Sequence, residues 1–420
     1  MSGHLGAIHH SNAKSCWFSY EPIGTRSGSL DTCLPGVEAR RVQLMDGSET
    51  VALKWNWERN PAPLPPRLLL MPQLSFVAAP MVNQSDLPFR ILTSRYKATT
   101  VYTQMLIPER LIHDQEYLEF HRRDLQYHND PDVSTVVQLC GNDATLIVET
   151  GRKVQDLCQA IDLNLGCPQE IAREDHFGAY LLGQRDWPLV EHIVSSMAQS
   201  FTVPVSTKMR LCQPSSKTVE FAERLQASGS SWITLHPRTV SSRRRRQGAA
   251  DLDQVRALKN CDKITVPVIS NGNVRCFDDI AKNLDYTGAD GLMVGETLLG
   301  NPCVFSTQDL PDPVAISLEY LDICRQYPVA TLKTVQTHIR HFFDFQWQVC
   351  ISDWFLAALT NLYSGRRPWF NKLRSSLNDC SDLDGIEKLL RVKVQRWRGK
   401  LDNPLKDDGV ACQVELELLQ

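Results

Sequence analysis

The chain has 420 residues, 45 Lys and Arg against 48 Asp and Glu, and a formal net charge of −3. With 42% hydrophobic and 22% charged residues it has the composition of a folded chain with a sizeable core, which excludes a disordered polyelectrolyte and requires any basic surface to be local. Its 13 cysteines include no CxxC pair, which argues against a disulfide framework or a zinc ribbon, and no apolar run approaches a membrane span.

Unpaired thiols in such number suit a reducing compartment. The N-terminal "MSGHLGAIHHSNAKS" has no apolar core for a secretory signal. A cytoplasmic or nuclear location is expected, with a mitochondrial one left open by the basic, Ser-rich start. Residues 1–70 read as an extension, partly disordered, with a short strand at "RRVQLM" and a stiff close in "NPAPLPPR".

Eight short apolar runs follow. They are "SFVAAPM" (75–81), "TTVYTQM" (99–105), "STVVQLC" (134–140), "AIDLNLG" (160–166), "VPVSTKMR" (203–210), "WITLHPR" (232–238), "VPVISNG" (266–272) and "GLMVGET" (291–297). Each is of strand length and rich in Val, Ile, Leu or Thr, and most gaps have room for a helix. The gaps "SKTVEFAERLQASG" and "CFDDIAKNLDYTG" carry helical periodicity and stop at Gly. Eight strands alternating with helices predict an α/β fold, a (β/α)8 TIM barrel over 71–308; an open doubly wound sheet is the other arrangement this pattern permits. From about 312 the β runs cease, and four helical stretches predict a helical domain over 309–400, followed by a tail over 401–420.

Chemistry in a (β/α)8 barrel gathers at the C-terminal ends of its strands. Polar or reactive residues stand at seven such ends: Met81, Gln138, Asn164 with Cys167, Lys208 with Arg210, His236 with Arg238, Asn271, and Gly295 with Glu296. "NGN" after the seventh strand and "GE" after the eighth occupy the positions where barrels often bind phosphate through backbone N–H groups. A phosphate-tailed ring seated there would meet Lys208, Gln138 and His236, and a flavin fits that pattern. No GxGxxG follows the first strand, and no His, Asp or Glu pair has metal-ligand spacing, so no metal is expected. Pro168 restricts Cys167 to extended backbone and ends its strand abruptly. A thiol projecting there, with an ordinary pKa of ~8.5, is protonated at neutral pH and can act as an acid.

These motifs, with "VQLCGND" (137–143), "DLNLGCPQ" (162–169), "GAYLL" (178–182), "TLHPRT" (234–239), "VISNGN" (268–273) and "GADGLMVGETLLGNP" (288–302), resemble the tRNA-dihydrouridine synthases over roughly residues 75–305. The likeness is greatest to the eukaryotic branch acting at D-loop positions 16 and 17. The resemblance implies an FMN enzyme that reduces uridine to 5,6-dihydrouridine in tRNA with NADPH as reductant. By that likeness Pro80, Met81 and Val82 line the flavin, and Gln138, Lys208 and His236 bond its ring. Asn271, Gly272, Asn273, Gly295 and Glu296 hold its phosphate. Cys167 protonates the pyrimidine C5. Asn164, Arg210 and Arg238 are the expected substrate contacts, with support of Lys208 alone as the other role open to Arg210. Three features depart from the family pattern: Glu296 stands where many members have arginine, Pro237 replaces a small residue, and residues 1–70 find no match.

A tRNA partner requires phosphate contacts. The run "SSRRRRQG" (241–248) follows the sixth strand, on the rim of the expected site. The helical stretches add Arg340, Arg366, Arg367, Lys372, Arg374, Lys393, Arg396, Arg398 and Lys400, interleaved with Trp369 and Trp397. A monomer with no membrane partner is expected. Two other readings stay open: a flavin barrel acting on a small enone or pyrimidine, and a tRNA-binding factor without catalysis.

Overall fold

The computed structural model describes residues 71–126, 133–242, 248–307, 309–346 and 368–399, and three strands nearer the N-terminus. Those strands are β1 (Trp17–Tyr20), β2 (Val37–Gln43) and β3 (Glu49–Trp55). They form an antiparallel sheet in the order β1-β3-β2. A single short strand was the expectation from "RRVQLM", and four of its residues lie in β2. Its partners went unrecognised because antiparallel pairing joins segments distant along the chain, such as Trp17 with Lys54.

The eight apolar runs all become strands. They are β4 (Phe76–Ala78), β5 (Thr100–Leu106), β6 (Ser134–Leu139), β7 (Ala160–Leu165), β8 (Val205–Arg210), β9 (Ile233–His236), β10 (Val268–Asn271) and β11 (Gly291–Val294). They pair in parallel and in chain order, and β11 returns to β4 to close the barrel. Because side chains alternate across a strand, one parity faces the helices and the other faces the axis. The outward set includes Val101, Val137, Ile161, Leu163, Val205, Met209, Ile233 and Leu292, all buried under the helical ring. On the opposite parity Val77, Tyr102, Val136, Ala160, Trp232, Ile269 and Met293 pack into one cluster that fills the base of the barrel. Two to four residues further along the same strands, that parity changes from apolar to polar. Gln138, Asp162, Asn164, Lys208, His236 and Asn271 therefore converge at the strands' C-terminal ends.

The C-terminal helices Pro313–Gln326, Leu332–Gln346, Pro368–Asn378 and Leu383–Lys388 follow. They share one hydrophobic cluster with the first barrel helix, Leu87–Arg95, through residues such as Phe89, Leu92, Tyr320, Ile339 and Phe342. The junction has a polar centre. Asp86 caps helix Leu87–Arg95. Its carboxylate accepts from Tyr320 Oη at 2.9 Å and lies 2.6 Å from His338 Nε2. Burial alone would raise that carboxyl; His338, Tyr320 and Arg90 outweigh it and hold its pKa below the usual value. The expected helix around 352–365 lies outside the described residues.

Candidate active site

Cys167 follows β7 on a loop pinned from four sides. Its N–H donates to Asn164 Oδ1 at 2.9 Å, and the Gly166 N–H donates to the same oxygen at 3.0 Å. Arg210 Nε holds the Gly166 carbonyl at 2.9 Å, and the Tyr180 hydroxyl holds that of Pro168 at 3.2 Å. The Ala179 N–H donates to the Cys167 carbonyl at 3.1 Å. Beside it Gly178 has a φ of +63°, and a Cβ there would lie 3.0 Å from Cys167 Cβ. Only glycine lets the two segments approach this closely. The proline thus ends the strand, and the surrounding bonds set where the thiol stands. Burial raises the thiol's pKa, against smaller opposing effects from the Gln169 backbone, Arg210 and Lys208, so it carries its proton at neutral pH.

The Asn164 oxygen that holds this loop is oriented from the barrel interior. Asp162 is fully buried, and its carboxylate accepts from Ser206 Oγ at 2.6 Å and from Gln138 Nε2 at 2.8 Å. A carboxylate only accepts, so Gln138 must turn its amide nitrogen toward it. The Gln138 oxygen is then left to accept from Asn164 Nδ2, at 2.8 Å, and Asn164 turns its own oxygen to the Cys167 loop. Burial pushes the Asp162 pKa up to about 6, against Ser206, Gln138 and Lys208. Asp162 was not singled out from the sequence, although its place two residues before Asn164 puts it on the same inward face.

Two cavities meet over this floor. One, of about 600 Å³, is lined by Cys167, Asn164, Gln138, Arg210, Val82 and Tyr117 among others. The second, of about 200 Å³, is lined by Met81, Asn271, Gly272, Asn273, Gly295 and Glu296, with Arg238 and Arg275. Pro80, Lys208 and His236 line both. Every residue expected to contact the flavin, its phosphate or the base therefore lies on one or both walls. Arg275 was not anticipated; it lies on the same post-strand loop as Asn273. With Arg238 it is a basic residue on the wall that Glu296 also lines.

Several of these side chains are engaged elsewhere. Asn271 Nδ2 donates to the Met293 carbonyl at 2.8 Å, and Asn273 clasps the backbone of Ala250 at 2.8 and 2.7 Å. The cradle in the smaller cavity is thus backbone, kept open by small residues. A Cβ on Gly295 would come within 3.3 Å of Ala79, and one on Gly272 within 2.8 Å of Ala250. Arg210 is buried, and its Nη1 donates to the carbonyls of Thr239 and Ser242, both at 2.9 Å. It supports two loops of the site while lining the larger cavity.

At the junction the Lys208 ammonium makes neither a hydrogen bond nor an ion pair among the described residues. Burial and the neighbouring Arg210 bring its pKa down to about 8, with Asp162 and Cys167 opposing. Burial, then Lys208, Arg210 and Arg238, hold His236 well below the usual histidine range, so its ring is neutral at pH 7. An ammonium that makes no hydrogen bond, beside a glycine-lined pocket, fits a planar, acceptor-edged ring that ends in a phosphate. Among the described residues no group of three His, Cys, Asp or Glu could hold a metal ion, and no helix is long and apolar enough to cross a membrane. Arg243, Arg244, Arg245 and Arg246, with Arg366, Arg367 and Lys400, lie outside the described residues, as do the side chains of Trp369 and Arg398.

The family model "Dihydrouridine synthase (Dus)" matches residues 77–396. A mouse protein named tRNA-dihydrouridine(16/17) synthase [NAD(P)(+)]-like is 36% identical over 63% of this chain and 54% of its own. The Saccharomyces cerevisiae tRNA-dihydrouridine(16/17) synthase [NAD(P)(+)] is 33% identical over 60% of this chain and 59% of its own. The human tRNA-dihydrouridine(20a/20b) synthase [NAD(P)+]-like protein is 32% identical over 60% of this chain and 76% of its own. The match thus spans little more than half the length of the mouse and yeast relatives. Since the family model covers most of the chain, from the first barrel strand to the last described helix, the chain belongs to the dihydrouridine synthase family.

Proposed function

We propose that the protein reduces uridine to 5,6-dihydrouridine in tRNA, at D-loop positions 16 and 17, with FMN as cofactor and NADPH as reductant. The observation that carries this reading is a protonated thiol, Cys167, on the wall of a base-sized cavity that joins a glycine-lined pocket at the Lys208 ammonium. Family membership and the names of the mouse and yeast relatives support it. The cytoplasm or nucleus is the compartment it suits.

In this reading Gln138, Lys208 and His236 hold the FMN ring, and the backbone of Gly272, Asn273 and Gly295 holds its phosphate. Bound there, FMN supplies the hydride that the pyrimidine receives at C6. Cys167 gives its proton to C5, and Asn164 and Arg210 keep the thiol's loop in place while it does so. A base inside a folded tRNA has to leave its stack to reach the cavity, at a cost of a few kcal/mol. The phosphate contacts that hold the RNA would come from basic residues, Arg238 on the cavity wall among them, and the run at 243–246 is the sequence's other candidate.

Incubating the purified chain with FMN, NADPH and unmodified tRNA should give dihydrouridine at 16 and 17 by mass spectrometry, and free uridine should not compete. Equal reduction of free uridine would move the assignment to a small-pyrimidine reductase. A protein that holds no flavin would end it.

The pH dependence of cofactor binding gives a separate check. Folding lowers the Lys208 pKa to about 8, below the ordinary lysine value of ~10.4, so its charge is present below pH 8 and lost above it. FMN affinity of the wild-type protein should be level from pH 6 to 7 and fall as pH rises through 8. Lys208→Met should bind more weakly and show no such step. A step that survives in the variant would assign it to another group.

A further inference from the structure

A third cavity, of about 540 Å³, lies beside the Cys167 cavity and shares Val82, Asn83, Gln104 and Tyr117 with it. Its far wall is the start of helix Leu332–Gln346, with Thr331, Lys333, Thr334 and Thr337. The partition between the cavities includes the loop at Val82 and Asn83, Gln104 on β5 and Tyr117. Asn83 sits there with a φ of 59°, its N–H donating to Gln104 Oε1 at 2.8 Å.

The acidic groups on this wall are already engaged. Asp86 is taken by Tyr320 and His338, and Asp124 by Arg90 at 2.7 Å. Among the remaining groups is Gln84, whose buried Oε1 has no hydrogen-bond partner among the described residues, and three others bear on what the cavity could hold. His121 is only 3% exposed, yet its ring nitrogens make no hydrogen bond among the described residues. Burial, then the charges of Arg90 and Arg110, bring its pKa down to about 4. At pH 7 it is a neutral imidazole with one donor and one acceptor nitrogen. Next to it the half-buried Phe120 ring lines the cavity, edge-on to His121 at 5.0 Å. At the mouth, the exposed Lys333 ammonium has no ion pair among the described residues.

We propose that this cavity is a second nucleotide site, which takes the unstacked base flanking the target uridine in the same RNA strand. The inference rests on the uridine-reducing reading of the first cavity. A neutral imidazole suits the mixed donor and acceptor edge of a nucleobase, where a charged group would demand an ion. An aromatic ring offers the stacking face that bases of any identity accept. Lys333, on the far wall, is placed for the phosphate on the outer side of that flanking nucleotide. Because the walls are shared, two nucleotides adjacent in one strand are the occupants that suit both cavities at once. The site would therefore help select which loop uridine enters the first cavity, a function with no use for a free pyrimidine.

The test uses the full chain loaded with FMN and synthetic RNA stem-loops carrying one loop uridine. The residues 5′ and 3′ to it are made adenosine or abasic in turn, and binding is read by fluorescence anisotropy. Removing the base on one side should weaken binding about tenfold in the wild-type protein. Thr334→Trp, which fills the cavity, should bring that ratio near one, and His121→Phe, which keeps the packing but loses the nitrogens, should reduce it. Dihydrouridine formation on the abasic RNA should be unchanged in both variants. Equal affinity of the wild-type protein for all the RNAs, or a ratio that survives Thr334→Trp, overturns the second site. If uridine is still reduced in that case, the first-cavity reading stands; RNAs that neither bind nor react overturn both.

Discussion

Cys167→Ala should bind FMN and oxidise NADPH as the wild-type protein does, while dihydrouridine formation falls by about 10²- to 10⁴-fold, the usual contribution of a positioned general acid. The separation of the two half-reactions is the informative result. Lys208, Gln138 and His236 lie on cavity walls that do not depend on the sulfur, so cofactor binding has no reason to change. Alanine also leaves the loop intact, since the bonds at this residue run through its backbone to Asn164 and Ala179. Stopped-flow reduction by NADPH, followed by single-turnover oxidation with tRNA, measures the two steps separately. Full dihydrouridine formation in the variant would take the proton donor away from Cys167.

Asp162→Ala should lower turnover by roughly a hundredfold, the order expected when a reacting group is displaced by about 1 Å. It should also destabilise the fold, because Ser206 and Gln138 would lose their acceptor in a fully buried position, at about 1–3 kcal/mol for each donor. The more telling comparison uses polarity. Asp162→Asn is nearly isosteric but can present a donor to Gln138, which lets the amides at 138 and 164 reverse. Adding Gln138→Glu restores an acceptor toward Asn164, so the Asn164 oxygen again faces the Cys167 loop. Cys167 alkylation kinetics in the cofactor-free protein should therefore be perturbed in Asp162→Asn and return toward wild type in the double variant. Identical kinetics in all three proteins would show that the chain of amides does not set the thiol. The pH dependence has a definite sign. The folded pKa of about 6 lies above the ordinary aspartate value of ~3.9, so this group's contribution to stability is full below the unfolded value. It is lost as pH rises through 6, and Asp162→Asn should remove that slope.

Much of this architecture is visible in the chain before folding. Strand length, Val, Ile and Leu content, and gaps long enough for helices mark all eight barrel strands, each within a few residues of its observed ends. Once a barrel is accepted, its geometry points to one end of those strands, and Gln138, Asn164, Lys208, His236 and Asn271 stand there because a two-residue alternation already assigns them to the inner face. Other features have no local signature. Asp162 reaches Gln138 and Ser206 across 24 and 44 residues of sequence, through a register that only the closed sheet sets. Asn271 and Asn273 look like ligand-binding amides in sequence, but in the fold they brace Met293 and Ala250. Arg275 comes to the smaller cavity through the path of a loop.

By itself, then, the sequence determined the alternation of strand and helix, the face each inner residue occupies, and the thiol that follows β7. These are matters of periodicity and of backbone restriction by proline and glycine, and both act within a few residues. The tertiary structure alone decided which way each amide turns, which cations share a pocket with Glu296, and that a buried imidazole faces the start of a helix more than 200 residues away. Hydrogen-bond direction and cavity shape depend on groups far apart in the chain, and they exist only once the barrel has closed and the C-terminal helices have packed on its flank.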